Sequence, residues 1–330
     1  MRDELRQLML FARDAAACLA LVALLCAGLW ILSVDPQSYA AVLPQKYVWL
    51  ASALSPRVIF VGGSGVAMGI DSPLVKKETG LNPINMGLYG GLGMRFILSS
   101  IESSLRSGDT VVILPEYETL QQPATGDGIL LLDMLHANPE RLPQVLTVRG
   151  AIVMLRYLPL WLRGEVAALY EKDVRPLFGP QEPTPAERID TKAAFNSYGD
   201  VDTALAGNIH VSTTSLEAQI QGFVRPASDP DVIADLKSFI SKESSAGVVV
   251  YIAPPSLPQT IYNANLDPIT QQYQALGNAL GQEHILGAPK DFVFPDDTFL
   301  DSEHPNQKGK ELKTQLVIKL LTQARSTNVR

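Results

Sequence analysis

The chain has 330 residues, of which 46% are hydrophobic and 18% are charged, so it can bury a sizeable core and is not a disordered chain. Its formal net charge of −7, without any block of lysines or arginines, argues against a surface for a phosphate backbone, and nucleic acid is not expected as a partner. No histidines, cysteines or carboxylates are clustered at metal-ligand spacing, so neither a metal nor another cofactor is predicted.

The first predicted element is a membrane helix at residues 15–34. These 20 residues carry no charge, and as a helix they would span roughly 30 Å, the thickness of the hydrocarbon core of a bilayer. Arg2, Arg6 and Arg13 precede the apolar run, whereas the connector that follows it contains a single lysine. The positive-inside rule therefore predicts that residues 1–14 lie in the cytoplasm.

A cleaved signal peptide is the alternative, because residues 38–40, Ser-Tyr-Ala, can serve as a cleavage site. The apolar run is longer than the roughly 7–15 residues of a signal-peptide core, which favours an uncleaved anchor. We therefore expect a single-pass protein of the inner or plasma membrane, with its folded domain in the periplasm or outside the cell. Both cysteines, Cys18 and Cys26, lie in the anchor, so the exported part has no disulfide and no thiol nucleophile.

After a connector at residues 35–56, strand-like and helical patterns alternate, which is typical of a parallel α/β sheet. Five strands are predicted, at residues 58–61, 83–86, 108–116, 246–255 and 284–286. Helices are predicted at residues 96–105, 230–242 and 306–321. In the last of these, Leu312, Leu316 and Leu320 are spaced to lie on one face. The predicted fold is a three-layer α/β/α sandwich with a parallel five-stranded sheet.

Residues 120–229 interrupt this alternation and are predicted to be an insertion into a domain at residues 57–330. The insertion contains helical patterns at residues 130–135 and 149–170 and then a proline-rich stretch, and we expect it to cover one end of the sheet. Residues 149–170 are also compatible with a helix that touches a membrane surface, although packing on their own domain is favoured. Pro159 argues against one continuous helix there.

Ser64 stands where the first predicted strand stops, in the sequence VIFVGGSGVAMGID. Between a strand and a helix, its hydroxyl is exposed and backbone N–H groups point at any oxygen that develops charge nearby. A dinucleotide-binding loop would need an acidic residue roughly 20 residues further on, where residues 85–87 are Asn-Met-Gly. A G-x-S-x-G elbow would need glycine in place of Val66. Besides the dinucleotide-binding loop and the elbow, the third interpretation of this stretch is that Ser64 is a nucleophile whose base comes from elsewhere in the chain.

The stretch FLDSEHPNQKG, residues 299–309, supplies such a base. His304 can take a serine proton only if its ring is held in the right tautomer, and Asp301, three residues earlier, can accept the bond from the other ring nitrogen. Pro305 favours an extended conformation at His304. A solvated loop before a helix is the alternative for this stretch, but the presence of Ser64 on a glycine-rich turn favours catalysis.

These sequences resemble the SGNH/GDSL hydrolases over residues 57–118 and 247–322. The blocks are VGGS after the first strand, NMGLYGG after the second, and DSEHPNQKG before the last helix. The resemblance implies that Ser64 is the nucleophile, His304 the general base and Asp301 its orienting carboxylate. It also implies an oxyanion hole made by the backbone N–H groups of Ser64 and of Gly90.

The chain departs from the family pattern at two places. Gly63 replaces the aspartate of the G-D-S block, and residues 114–118, LPEYE, replace a block in which an asparagine would contact the oxyanion. Tyr117 is the substitute oxyanion donor that we predict. Asn85 and Glu116 are predicted as substrate-binding residues.

The anchor and the order of serine first and histidine last resemble the membrane-anchored, DltD-like branch. Members of that branch are associated with acylation of cell-envelope polymers, next to a multi-spanning membrane acyltransferase. The resemblance implies a serine esterase or O-acyltransferase that acts on acyl esters of a cell-envelope or exported polysaccharide. The alternative is a catalytically silent scaffold that binds an envelope glycan or a membrane acyltransferase in the same pocket.

Overall fold

The computed structural model describes residues 2–179, 183–207, 209–217 and 223–328. Its first element, α1 (Arg2–Leu32), is a helix of 31 residues, so the segment before the apolar run is helical as well. From Glu4 to Leu32 this helix is long and apolar enough to cross a membrane, and its most apolar stretch is not buried by the rest of the chain. The prediction of one N-terminal helix of membrane-spanning length is confirmed.

The chain then forms a parallel β-sheet of four strands. These are β1 (Arg57–Gly62), β2 (Asn82–Asn85), β3 (Thr110–Leu114) and β4 (Val249–Ile252), in the order β2-β1-β3-β4. Two further strands, β5 (Leu257–Pro258) and β6 (Val293–Phe294), pair in parallel as a separate small sheet. The predicted α/β fold with a parallel sheet is confirmed, whereas the predicted count of five strands in this sheet is wrong.

The fifth predicted strand, at residues 284–286, fails because the chain turns on both sides of it. Gly281 and Gly287 have φ angles of 98° and 80°, in the left-handed region that glycine tolerates. Gln282–His284 form a 3-10 helix, and Ile285 makes only an isolated parallel bridge to Ile252 of β4. The segment lies beside β4, as expected, but it is too short to continue the sheet.

Helices connect the strands and cover both faces of the sheet. The N-terminal half contains α2 (Leu43–Ser52), α3 (Ser64–Ala67), α4 (Ser72–Thr79) and α5 (Met94–Glu102). Between β3 and β4 lie α6 (Tyr117–Gln121), α7 (Gly128–Ala137), α8 (Leu142–Val145), α9 (Val148–Leu169), α10 (Pro185–Ile189), α11 (Thr213–Glu217) and α12 (Pro230–Ser245). The C-terminal part contains α13 (Gln259–Ala264), α14 (Leu266–Leu280) and α15 (Gln307–Asn328).

Alternate residues of the central strand β1 pack against different helix layers. Ile59 and Val61 are buried in a core shared with α5, α12 and α14. Val58 and Phe60 are buried in a second core shared with α4 and α15. Because the side chains of a strand point to opposite faces in turn, β1 is apolar along its whole length, as expected of a parallel sheet that is covered on both sides.

The segment between β3 and β4 has a core of its own. Met154 and Trp161 of α9 pack against α7, together with Tyr39 from the stretch after α1. Contrary to the sequence-based expectation, α9 is continuous through Pro159. Proline deprives the carbonyl of Leu155 of its helical donor, but both residues are exposed, so that carbonyl can bond to solvent.

Arg57 and Asp109 form a buried ion pair at the edge where the parallel strands begin. Both side chains are fully buried, and the guanidinium donates to both carboxylate oxygens. Further guanidinium N–H groups donate to the carbonyl oxygens of Leu50 and Ser104, at 2.8 and 2.7 Å. The pair therefore joins the end of α2 to the starts of β1 and β3.

Candidate active site

Ser64 is the first residue of the short helix α3, and only Gly63 separates it from the C-terminal end of β1. Gly63 makes the turn, and the structure shows why no larger residue fits there. A Cβ atom on Gly63 would lie 2.3 Å from the backbone nitrogen of Gly90 and 2.5 Å from Oε1 of Glu116. The departure from G-D-S at this position therefore goes together with Glu116, whose carboxylate occupies the space of a side chain at position 63.

Ser64, His304 and Asp301 form a continuous hydrogen-bonded chain. The distance between Ser64 Oγ and His304 Nε2 is 2.8 Å, and the distance between His304 Nδ1 and Asp301 Oδ2 is 2.7 Å. With Nδ1 donating to the carboxylate, Nε2 is left to accept the serine proton, which is the arrangement of a serine nucleophile and its base. The two halves of this arrangement lie 240 positions apart in the sequence.

The loop before α15 fixes the positions of Asp301 and His304. Asp301 Oδ1 accepts the backbone N–H groups of Glu303 and His304, both at 2.8 Å, while Oδ2 is bound to the imidazole. Leu300 N–H donates to the His304 carbonyl at 2.7 Å, which closes the loop. One carboxylate thus holds both the backbone and the ring of the histidine.

Electrostatics within this pair favour a protonated imidazole. Burial lowers the pKa of His304, but the hydrogen bond that Nδ1–H donates to Asp301 and the negative charge of Asp301 outweigh burial, so the pKa is raised above 6.5. Burial raises the pKa of Asp301. The hydrogen bond with His304 and the charge of His304 lower this pKa by more than burial raises it, so the carboxylate stays ionised. The Asp301 side chain is 50% exposed, and solvent screens part of this attraction.

Glu116 holds the turn at residues 63–65 from the side of β3; because this turn carries the predicted nucleophile, it is called the nucleophile turn. Its Oε2 accepts the Gly63 N–H at 3.1 Å and its Oε1 accepts the Gly65 N–H at 2.9 Å. Thr119 Oγ1 donates to Oε2 at 3.2 Å, and the residue is only 7% exposed. We predicted a substrate-binding role for Glu116, but the structure places both of its carboxylate oxygens against the backbone on either side of Ser64.

Lys313 and Glu303 surround Glu116 and were not found from the sequence. Lys313 Nζ donates to the Gly65 carbonyl at 2.9 Å; burial lowers its pKa to about 8, against the opposing charge of Glu116. Burial raises the pKa of Glu303 to about 7, and the charge of Glu116 adds to this shift. These side chains line a small enclosed cavity with Glu116 and Gly65. Two groups with pKa values near neutrality, Glu303 and Lys313, therefore lie beside the nucleophile turn.

Lys313 did carry a signal in the sequence. The fully buried row of α15 is Lys313, Val317 and Leu321, which recur every four residues, whereas Leu312 and the other leucines of the predicted apolar face are half-buried. A lysine in such a row is unusual because a buried ammonium group needs partners. The sequence alone gives no partner, since Gly65 lies 248 positions away.

Asn85 is placed in the framework of the site. It is fully buried, and its Nδ2 donates to the Val66 carbonyl and to Asp200 Oδ1, both at 2.9 Å. Its Oδ1 accepts the Gly87 N–H at 3.0 Å. The predicted contact with substrate is therefore corrected: Asn85 joins the loop after β2 to α3, with both ends of its amide engaged.

The predicted oxyanion donors are placed differently from one another. Gly90 lies against the nucleophile turn, and a Cβ on it would be 3.0 Å from Glu116 Oε2. Tyr117 is instead buried at 1% exposure, with its ring packed edge-on against Tyr273 at 6.0 Å between centroids. The Tyr117 ring belongs to the core beside the sheet and also lines the small cavity next to Gly65, so its role as an oxyanion donor stays a prediction.

Within the part of the chain that the structure describes, no three histidine, cysteine or carboxylate side chains come together as a metal site. No protein-family model matches the chain, and no curated protein matches it either. The function of the chain is therefore inferred from the geometry of the site.

Proposed function

We propose that this chain is a membrane-anchored serine esterase or O-acyltransferase of the SGNH type, with the acyl esters of a cell-envelope or exported polysaccharide as substrates. The observation that carries the proposal is the pair of hydrogen bonds from Ser64 Oγ to His304 Nε2 and from His304 Nδ1 to Asp301. A nucleophile, its base and the group that orients the base are the minimum set for acyl transfer through a covalent intermediate.

In the acylation step, Ser64 Oγ forms a bond to the ester carbonyl carbon while its proton passes to His304 Nε2. The carbonyl oxygen becomes an oxyanion, for which the backbone N–H groups of Ser64 and Gly90 are the proposed donors. When the carbon–oxygen bond to the leaving alcohol breaks, the imidazolium returns the proton to that alcohol. Asp301 stays ionised throughout and stabilises the imidazolium.

In the second step, another hydroxyl attacks the acyl carbon and gives its proton to the same imidazole. The bond between Ser64 Oγ and the acyl carbon then breaks, and the imidazolium returns the proton to Ser64 Oγ. Water as attacking group makes the protein an esterase, and a sugar hydroxyl makes it an O-acyltransferase, without any change in Ser64 or His304. The proposed partners are the acylated polymer and a multi-spanning membrane acyltransferase that supplies acyl groups.

The proposed location is the inner or plasma membrane, with α1 as a single anchor. The arginines that precede the apolar run support a cytoplasmic N-terminus and a folded domain in the periplasm or outside the cell.

A catalytically silent scaffold is the second candidate, and Glu116 is the observation that favours it. A carboxylate stands where the family has an oxyanion-binding asparagine, and it takes the N–H groups of Gly63 and Gly65. An ionised carboxylate near a developing oxyanion raises the energy of that oxyanion. In the scaffold, the pocket around Ser64 would bind an envelope glycan or a membrane partner without turnover.

The test is hydrolysis of p-nitrophenyl acetate by the full chain in detergent, beside Ser64→Ala and His304→Ala. The expected result is a burst and turnover that both substitutions abolish. Ser245→Ala is the matched control, because Ser245 is an exposed serine at the end of α12, by the opposite edge of the sheet. A folded chain that turns over no ester, or turnover that survives Ser64→Ala, contradicts the esterase and favours the scaffold.

A further inference from the structure

The C-terminal end of α1 is docked on the folded domain. The Trp30 ring lies 4.9 Å from the His136 ring and 5.0 Å from the Trp161 ring, measured between centroids. His136 Nε2 also donates to the Trp30 carbonyl at 2.7 Å. Because His136 belongs to α7 and Trp161 to α9, the anchor is held against these two helices, and the domain is not suspended on a free linker.

The helix α9 presents a row of apolar side chains to the outside, opposite its buried face. The exposed fractions are 83% for Val148, 62% for Ile152, 69% for Leu155 and 57% for Val166. Their spacings of four, three and eleven positions return to nearly the same side of the helix, so they lie on one stripe. After the end of α9, Leu177 and Phe178 are 80% and 82% exposed.

Charged residues border the apolar row. Arg156 and Arg163 are exposed and lie within about 80° of the row around the helix axis, at 100° per residue. An apolar stripe next to arginines, whose long side chains can reach phosphate groups, is typical of a helix that lies in the surface of a membrane. An exposed apolar strip of this length is uncommon on a protein that is surrounded by water.

We propose that α9, together with Leu177 and Phe178, lies in the headgroup region of the same bilayer that α1 crosses, with the apolar row toward the acyl chains. Lipid is the occupant because α9 continues from the anchor: Trp30, two residues before the end of α1, packs on Trp161 of α9, so α9 lies where α1 leaves the hydrocarbon. This proposal rests on the proposed anchoring and is independent of the catalytic chemistry.

The test places a fluorophore that senses polarity on the full chain, in vesicles of phosphatidylcholine and phosphatidylglycerol. Cys18 and Cys26 are first replaced by serine, and a single cysteine is introduced as Leu155→Cys or, as the matched control, Leu266→Cys at a 46% exposed leucine of α14. We expect a blue-shifted emission and at least threefold stronger quenching by brominated lipids at position 155. Equal, water-like emission at both positions overturns the proposal, as does a shift that appears only when other membrane proteins are present.

A separate observation concerns a cleft of about 300 Å³ that opens beside His304 and Asp301. Its walls are mostly apolar and include Met68, Ile189, Ala206, Ile209 and Leu300. Asp190 is the one further acidic residue in the lining; burial raises its pKa, against the opposing charge of His304. Most of this wall comes from the segment between β3 and β4.

From this cleft we infer that the acyl group is an aliphatic chain longer than acetyl, a conclusion that rests on the proposed function. A cavity of roughly 10–15 Å³ by this measure is enough to hold one water molecule, so a cleft of about 300 Å³ has room for a chain much longer than acetyl. Since each buried methylene is worth about a threefold to fourfold change in binding, even partial burial of the chain gives a measurable preference.

The test compares p-nitrophenyl acetate, butyrate, octanoate and palmitate on the full chain. We expect kcat/KM to rise about 30-fold or more from acetate to octanoate and to fall again at palmitate. Ile209→Asp is expected to lower the octanoate-to-acetate ratio about tenfold, because it puts a charge into the apolar wall at a 42% exposed position. Leu266→Asp, at an exposed leucine outside the cleft, is the control and keeps the ratio.

Failure of the inference about chain length can be distinguished from failure of the proposed function. A flat profile, or a preference for acetate, in a chain whose Ser64 is still labelled by a fluorophosphonate overturns the inference about chain length and leaves the serine chemistry standing. Absence of turnover of every ester, together with absence of labelling at Ser64, overturns the proposed function and the inference with it.

Discussion

The two edges of the parallel sheet both bury charged side chains, but they do so differently. Where the strands begin, Arg57 and Asp109 form an ion pair of one positive and one negative charge, and the guanidinium donates hydrogen bonds to both carboxylate oxygens. Where the strands end, Glu116, Glu303 and the buried Lys313 line one small cavity, and the pKa values of Glu303 and Lys313 move to about 7 and about 8. A matched pair holds the fold, whereas an unmatched group of charges lies beside the proposed nucleophile.

The topology explains why the unmatched group is at that edge. The loops that follow β1, β2 and β3 meet there, and they supply Ser64, Gly90 and Glu116. In open α/β sheets the carboxyl ends of the strands are where sites form, because several loops converge on one point. We therefore expect substitutions where the strands end to change mainly activity, and substitutions where the strands begin to change mainly stability.

Asp301→Asn is expected to give the largest effect, a loss of about 10²- to 10⁴-fold in kcat for ester hydrolysis. Turnover needs neutral His304, whose pKa is raised above 6.5, so the activity of the unmutated chain falls as pH drops through that raised value. Since Asp301 raises the pKa, its loss moves this limb of the pH profile to lower pH. The check is a pH–rate profile of both chains, and an unshifted limb contradicts the assigned role.

Asp109→Asn at the opposite edge is expected to destabilise the fold by about 3–5 kcal/mol, because it leaves the buried Arg57 guanidinium without its counter-charge. The measurement is the midpoint of chemical unfolding, monitored together with activity per folded molecule. That specific activity should be unchanged. A loss of activity in protein that is still folded would show that the two edges are not separate in function.

Glu116→Gln is expected to lower kcat about 10- to 100-fold, since an amide cannot accept both the Gly63 and the Gly65 N–H groups. The control is Glu118→Gln, an exposed glutamate two residues further on. The measurement is kcat with p-nitrophenyl acetate. An increase in kcat would mean that the Glu116 charge opposes the oxyanion and does not serve mainly to hold the turn.

Glu303→Gln is expected to give the smallest effect, a rise of a few degrees in Tm above pH 7. The folded-state pKa of Glu303 is about 7, above its ordinary value of 4.5, so its contribution to stability is full below pH 4.5 and lost as pH rises through 7. Glutamine removes the buried charge that opposes folding at pH 8. Equal changes in Tm at pH 4 and pH 8 would contradict the raised pKa.

Much of the fold and the three proposed catalytic residues could be predicted because their signals are local. Asp301 and His304 lie three residues apart in one loop, and Ser64 ends an apolar strand on glycines. The role of Glu116 could not be predicted, because its partners lie 51 and 53 positions away on another strand's loop. The resemblance implied an oxyanion donor in that block, where Glu116 bonds to the turn at residues 63–65 and the Tyr117 ring packs in the core.

The most direct test of the central claim is covalent labelling of the full chain by a fluorophosphonate, followed by mass spectrometry of the peptides. The account predicts one adduct, on Ser64, that disappears in Ser64→Ala and forms much more slowly in His304→Ala. A folded chain that forms no adduct, or forms one on a serine elsewhere, would contradict the claim that Ser64, His304 and Asp301 act together as an acyl-transfer site.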